Sequence, residues 1–142
     1  MSTPIRRALY GKMSGDVTLT NMLGSAAAGF TKAIYHNQAP EEAAFPFVLF
    51  SKSSGVPEGT FGDPNIYETD VWMIKAVDYN TTADRAESIA ARLQSLLNDA
   101  TLSISGGGLL FYLRRQSNVE YPEVIDGELY HHVGGLYRLI HT

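Results

Sequence analysis

Four histidines are the residues of this sequence whose side chains bind metals most readily: His36, His131, His132 and His141. His131 and His132 are adjacent, so on a strand they point to opposite faces and do not share one ion. The sequence has no cysteine and no His-Glu-x-x-His pattern. We therefore expect no metal site, and we interpret these residues as interfacial or solvated histidines.

The remaining patterns that suggest chemistry lack the spacing that the chemistry requires. Gly106-Gly107-Gly108 precedes a predicted strand, whereas a phosphate-binding loop opens a helix. No serine lies in a Gly-x-Ser-x-Gly elbow, and Glu41-Glu42 falls in a predicted loop with no apolar pocket implied around it. The sequence predicts neither an enzyme nor a bound cofactor.

The charge distribution argues against tight binding of nucleic acid. Fifteen acidic and eleven basic side chains give a formal net charge of −4, and no basic run is longer than a pair such as Arg114-Arg115. No apolar run reaches the roughly 18–20 residues of a membrane span, and residues 1–30 lack a secretory pattern. We expect one domain, residues 1–142, that works inside a cell or particle without a membrane partner.

Apolar spacing and capping residues predict the helices. Ser2-Thr3-Pro4 begins a helix whose Ile5, Leu9 and Met13 share one face, and Asp16 caps a short second helix. Thr81 and Asp84 approximate a capping box at the start of a long helix. Its apolar stripe has a period of 3.6 residues and consists of Ala83, Ala86, Ile89, Ala90, Leu93, Leu96 and Leu97.

Between these helices the sequence predicts strands that form a mostly antiparallel sheet. Apolarity on both alternations around residues 71–77 indicates burial there, with Glu68 and Asp70 marking an exposed start of the strand. Asp126-Gly127 predicts a tight turn. The predicted strands are residues 32–37, 47–50 with a continuation to 54, 66–78, 102–104, 109–117 and 129–141. Strands clustered between helices favour an α+β fold, with a sheet of four to five strands and helices packed on one face.

Two segments have features that are frequent in functional sites. Residues 55–65 contain three glycines and two prolines and are predicted to form a long polar loop with two apolar residues, Val56 and Phe61. Arg114 and Arg115 alternate across a predicted strand, one to each face. Two interpretations of the arginines stay open: one of them contacts a neighbour in a ring or tube, or they blunt an edge strand with charge.

The order of several short motifs resembles a known family. Ile34-Tyr35 is followed by Ala39-Pro40 and Phe45-Pro46-Phe47-Val48, and Val71-Trp72 follows after a variable loop. The long helix and Leu136-Tyr137-Arg138-Leu139 close the chain. From about residue 3 to 140, this arrangement is similar to the tail terminator, or tail completion, proteins of long-tailed bacteriophages, including the lambda-type terminator.

The resemblance implies a structural protein of the virion, located at the head–tail junction and assembled in the host cytoplasm. Members of that family form a ring, usually of six copies, that caps the finished tail tube and stops its polymerisation. The ring joins the tube to neck or connector proteins, and DNA passes through it without specific binding. The alternatives are a neck or head-closure ring protein, and a small-molecule or peptide binding module.

We expect seven residues to contact the tail tube or a neighbouring subunit. Closing a ring requires heterologous contacts, for which aromatic side chains, arginines and strand edges are suitable. Val56 and Phe61 are the predicted apolar anchors; the alternative for their loop is a mobile surface segment. The complete set is Val56, Phe61, Asp63, Arg114, Arg115, Tyr130 and His132.

Overall fold

The computed structural model describes residues 3–59, 61–62 and 66–142. The described residues form three helices and five strands, with the strands grouped in one sheet. In chain order these elements are α1 (Thr3–Ser14), α2 (Val17–Thr20), β1 (Ile34–His36), β2 (Phe47–Glu58), β3 (Tyr67–Tyr79), α3 (Asp84–Leu97), β4 (Leu110–Ile125) and β5 (Glu128–His141). Among these helices, none has the length and apolar composition of a membrane-crossing segment.

The sheet has the strand order β1-β2-β3-β5-β4. Only β1 and β2 pair in parallel; the other three pairs are antiparallel. The prediction of a mostly antiparallel α+β fold with four to five strands is therefore confirmed. The sheet has two edges: β4 forms one, and short β1 together with the part of β2 that extends beyond it forms the other.

One face of the sheet packs against the helices and contains the main core. Ile5, Leu9 and Met13 of α1 are all buried, as their four-residue spacing predicts. The stripe of α3 is buried on the same side, and Trp72 of β3 is fully enclosed beneath it. Aromatic and aliphatic side chains of this size each contribute roughly 1.5–3 kcal/mol when buried, so this layer dominates folding.

The opposite face is covered only at one corner. The segment between α2 and β2 folds over it and forms a second apolar cluster with Tyr35, Phe47 and Val77. The rest of this face, formed by β3, β5, β4 and the distal half of β2, has neither a helix nor that segment against it within the described chain. We call this uncovered surface the open face.

The strands differ from prediction where cross-strand pairing outweighs local propensity. β2 continues to Glu58 because Gly55, Val56 and Pro57 pair with β3, so Val56 does not lie in a loop. β4 runs to Ile125 because its hairpin with β5 extends to a turn in which Asp126 and Gly127 have φ of 51° and 79°. Residues 102–104 form no strand, although Leu102 packs into the core.

Helix starts also differ from the predicted caps. Ser2 lies outside the described residues, and α1 is helical from Thr3. Asp16 caps α2 as predicted, accepting the Leu19 N–H at 2.9 Å, and it also pairs with Arg92 of α3 at 2.7 Å. α3 begins at Asp84 with Ala83 as N-cap and no side-chain cap, so the predicted capping box is wrong.

β3 and β5 approach each other closely at Gly134, so a substitution there tests how tightly these two strands are packed. A Cβ at residue 134 would lie 2.2 Å from the Ile74 carbonyl oxygen and 2.4 Å from the Lys75 Cα. We predict that Gly134→Ala lowers the free energy of unfolding by roughly 1–3 kcal/mol, because backbone must shift to admit the methyl group. Gly11 is an exposed residue of α1, and a Cβ there would have nothing within 4 Å. Gly11→Ala should therefore raise the free energy of unfolding by about 0.5–1 kcal/mol, because alanine favours the helix. Equal effects of the two substitutions in urea unfolding would contradict the close packing.

Candidate assembly surfaces

The turn region between β2 and β3 presents the most exposed apolar side chain among the described residues. We call its described residues Gly59, Phe61, Gly62 and Ile66 the β2–β3 tip. Phe61 is 112% exposed, which means that its ring contacts almost nothing in its own chain. Val56 is 52% exposed on β2, opposite Thr69. Both predicted apolar anchors are therefore accessible, and Asp63 lies outside the described residues.

The open face is an apolar and aromatic surface that extends across four strands. Val71 and Met73 of β3 lie on it and are only half-buried, so the predicted burial of both sides of β3 is wrong at these two residues. It is confirmed further along the strand, where Lys75 and Val77 on the same face are buried. The sequence pattern does not distinguish a covered face from an open one because both are apolar. The apolar and aromatic residues of this face are Val56, Tyr67, Val71, Met73, Tyr112, Val119, Tyr121, Leu136 and Ile140.

Both free edges of the sheet carry features that disfavour strand addition. β2 has an irregularity between Lys52 and Ser54 and a proline at residue 57. β4 has two irregularities and a proline at residue 122. Bulges, prolines and charges on an edge are the devices by which proteins prevent edge-to-edge pairing. Contacts between copies are therefore expected to use side chains and not continuous strand pairing.

The two adjacent arginines of β4 have different environments. Arg114 is exposed on this edge strand, with its Nε 3.6 Å from an oxygen of exposed Asp99. Arg115 faces α3 and donates to the Tyr137 hydroxyl from Nε at 3.0 Å and to the Ala90 carbonyl at 2.8 Å. It also donates to Gln94 and lies over the Tyr137 ring. The donors of Arg115 are satisfied within the chain, whereas the Arg114 side chain is accessible. A contact with a partner stays a prediction for both residues.

His132 and Tyr130 are also held by contacts within the chain. His132 is 8% exposed, and its ring stacks on that of Tyr121 with ring centroids 4.5 Å apart. Its Nε2 lies 2.9 Å from Oε1 of Glu123. Burial lowers the pKa of His132, and the nearby Glu123 only partly opposes this. The expectation of a solvated histidine is thus wrong here, because β4 covers the ring. Tyr130 is half-buried between Phe45 and Tyr79, and its role in contacting a partner stays a prediction.

A buried ionic cluster lies at the start of β3, where the sequence suggests exposed carboxylates. Asp70 is fully buried and accepts from Nε2 of His141 at 2.8 Å, while Nδ1 of His141 donates to the Thr142 carbonyl at 3.1 Å. Lys52 lies 2.8 Å from Glu68 and 3.4 Å from Asp70. The partners of Asp70 come from the two neighbouring strands, a long-range pairing that no local pattern indicates.

The same cluster holds the only three described residues whose donor atoms are close enough to bind a metal together. These atoms of Glu68, Asp70 and His141 lie within 4.8 Å of one another. Both ring nitrogens of His141 face acceptors, as in a protonated imidazole, which has no lone pair for a metal. Lys52 supplies a further positive charge between the carboxylates. Glu68, Asp70 and His141 therefore fit an ionic cluster, in which the proton on His141 and the ammonium group of Lys52 balance the two carboxylates.

The pKa values of the cluster follow from these contacts. Burial alone would raise the pKa of Asp70, but the His141 hydrogen bond and the charges of His141 and Lys52 hold it at about 2. The hydrogen bond to Asp70 raises the pKa of His141, and burial opposes this only in part. Burial also opposes the charge on Lys52, but Glu68 and Asp70 outweigh it and raise the pKa of that amine.

A basic groove of about 340 Å³ lies between α1 and β1. Arg6 and Arg7 form its charged rim and pair with no carboxylate of the described chain. We call it the α1–β1 groove, lined by Arg6, Arg7, Tyr10, Gly29, Phe30, Thr31, Ile34, His36 and Phe50. No local pattern reveals this groove, because its residues come from three separate segments; the adjacent arginines on the predicted first helix are its one visible sign in the sequence.

Comparison with known proteins identifies the architecture. The sequence matches the family described as tail completion protein gp17 over residues 7–133. In structure, the protein is similar to a chain of the virion of a native gene transfer agent particle. That match has a TM-score of 0.72 at 17% identity and covers 97% of this chain and 95% of the other. A second solved chain matches with a TM-score of 0.59 at 16% identity, covering 98% of this chain and 95% of that one. No curated protein matches the sequence.

Arg114 and Arg115 are adjacent but differ in their contacts, so replacing each by alanine compares an exposed arginine with one bonded inside the chain. Arg115→Ala should lower the free energy of unfolding by about 2 kcal/mol, because it leaves the buried Tyr137 hydroxyl without the guanidinium that donates to it. Arg114→Ala should change it by less than about 0.5 kcal/mol. Urea unfolding of both variants measures the difference, and equal stabilities would contradict the internal role of Arg115.

The Asp70–His141 pair predicts how stability depends on pH. The pKa of His141 is raised on folding, so its protonation stabilises the fold. This contribution to the free energy of unfolding is complete below about pH 6.5 and is lost as pH rises through the raised pKa. The pKa of Asp70 is lowered on folding, so its ionised form stabilises the fold. This contribution to the free energy of unfolding is complete above about pH 3.9 and is lost as pH falls towards about 2. We predict that His141→Ala costs about 3 kcal/mol at pH 5 and a smaller amount at pH 9. A difference from wild type that stays constant across this range would contradict the pairing.

Proposed function

We propose that this chain is a tail terminator, a structural protein whose copies form a ring at the end of the tail tube. The proposal follows from its family, because the chain belongs to the tail completion protein gp17 family. Membership of this family supports a location in the tail of a bacteriophage-like virion. The ring caps the tube, stops its polymerisation and presents the interface that neck or connector proteins bind. Its role is assembly, without a chemical reaction.

The surfaces of the monomer support ring formation through unlike contacts. A ring requires two different patches on each copy, so that one patch of a subunit meets the other patch of its neighbour. The β2–β3 tip and the α1–β1 groove are such unlike patches. The open face adds an apolar surface of the kind that marks sites of protein contact. Blunted sheet edges reduce uncontrolled strand addition, which would give fibres in place of closed rings.

The charge of the chain is compatible with a ring through which DNA passes. Each copy has a formal net charge of −4, so that six copies together carry −24. A negative ring repels the phosphate backbone and does not hold DNA in place. We therefore propose that DNA moves through the ring without specific binding.

The extreme exposure of Phe61 is the observation that carries the proposal. An isolated, fully exposed phenylalanine contributes nothing to folding of the monomer, since its ring has no apolar neighbours. Burying such a ring against a partner is worth roughly 1.5–3 kcal/mol per copy. Repetition of that contact around a ring makes it a substantial part of the stability of the assembly.

Replacement of Phe61 tests the function in assembled particles. We predict that Phe61→Ser leaves the melting temperature unchanged but gives tails of uncontrolled length and heads without tails, as seen by electron microscopy. Val17→Ser is the matched control, because Val17 is 68% exposed and lies on α2, away from the β2–β3 tip. Normal tail lengths and normally joined particles with Phe61→Ser would contradict the proposed role of the tip.

A further inference from the structure

The β2–β3 tip presents an exposed aromatic ring after an acidic residue, and the α1–β1 groove has an apolar lining and an arginine rim. We infer that Phe61 of each subunit binds in the α1–β1 groove of its neighbour, and that this contact joins the subunits of the ring. The inference rests on the proposed ring and names the surfaces that form it. Its occupant is a second copy of this chain.

The groove has the lining that an aromatic side chain requires. Ile34 and Phe50 form part of its apolar wall, and Phe30 beside them is 47% exposed. Its volume of about 340 Å³ lies at the lower end of the roughly 300–1,000 Å³ of small-ligand sites. Phe30 and Tyr10 offer ring edges and faces against which a further phenyl ring packs favourably.

Charge favours the tip as the occupant of this groove. Arg6 and Arg7 lack a carboxylate partner among the described residues, while the tip follows Glu58 at the end of β2. In sequence a second acidic residue, Asp63, lies two positions after Phe61. Burial and the positive charge of Arg6 lower the pKa of His36, which keeps that ring neutral beside the arginines. An apolar side chain flanked by carboxylates therefore matches an apolar groove rimmed by guanidinium groups.

The geometry of β2 prevents Phe61 from reaching the groove of its own chain. Phe50 lines the groove, and β2 continues from it for eight further residues to Glu58 before the tip begins. At about 3.3 Å per residue, this strand carries the tip roughly 26 Å away. A partner copy is thus the source of the tip, and the contact is heterologous because the two patches differ.

Two other concave surfaces fit the tip less well. The cavity formed with residues 104–108 includes Glu68 and is walled by Pro57 and Tyr67, at the base of the same hairpin. The cavity near residues 79–81 and 127–129 includes Glu128. Neither cavity is lined by an arginine or a lysine, so neither offers the acidic flank of the tip the positive charge that Arg6 and Arg7 provide at the α1–β1 groove.

Disulfide trapping tests the contact directly, because the chain contains no cysteine. The variant Gly62→Cys/Thr31→Cys keeps Phe61 and places one thiol in the tip and one at the groove, at exposed positions. We expect mild oxidation to give a ladder of covalent multimers that ends at the ring size. Adding Phe61→Ser should reduce the ladder at least tenfold. The control pair Gly62→Cys/Thr81→Cys, which joins the tip to the cavity beside Glu128, should give no ladder.

A charge exchange provides a second readout. Arg7→Glu in the Gly62→Cys/Thr31→Cys background should weaken the ladder several-fold, and Glu58→Arg added to it should restore most of the loss. If electron microscopy of the wild-type protein shows rings but the cysteine pair gives no ladder, the tip-in-groove contact is wrong and the proposed ring stands. If neither rings nor a ladder form, the proposed function fails together with the contact.

Discussion

Burial of one face of the sheet against α1 and α3 is the interaction on which the rest of the structure depends. Trp72, at the centre of this layer, is fully enclosed, and Tyr137 beside it is held by Arg115. Because this single layer supplies most of the buried apolar area, the other face does not need a complete cover. The protein therefore combines a closed core with an exposed apolar surface, a combination that suits a subunit whose remaining contacts come from assembly.

Charged residues divide between these two roles. Asp16 with Arg92, Asp78 with Arg85, and Asp70 with His141 join helices and strands within the chain. Arg6 and Arg7 have no such partner among the described residues, and they border the α1–β1 groove. The first group of charges holds elements of the fold together, whereas Arg6 and Arg7 at the rim are available to a partner of opposite sign.

Sequence patterns predicted what depends on neighbouring residues. The buried face of α1, the Asp16 cap and the Asp126-Gly127 turn are local features, and all three are present. Membership of the tail completion family was also accessible, because the order of short motifs extends over nearly the whole chain. The internal role of Arg115, the burial of His132 and the inclusion of Val56 in β2 depend on residues far along the chain, so no local pattern reveals them. The sequence predicted helices on one face only, but not which part of the other face is covered, because apolar alternation is the same on a covered face and on an open one.

The central claim is that this chain works by closing into a ring at the end of a tube. Negative-stain electron microscopy of the purified protein mixed with isolated tail tubes tests it most directly. The account predicts rings of one fixed copy number, one at the growing end of each tube, and tubes that no longer elongate when tube subunits are added. Separate monomers beside tubes with bare ends that continue to grow would contradict it.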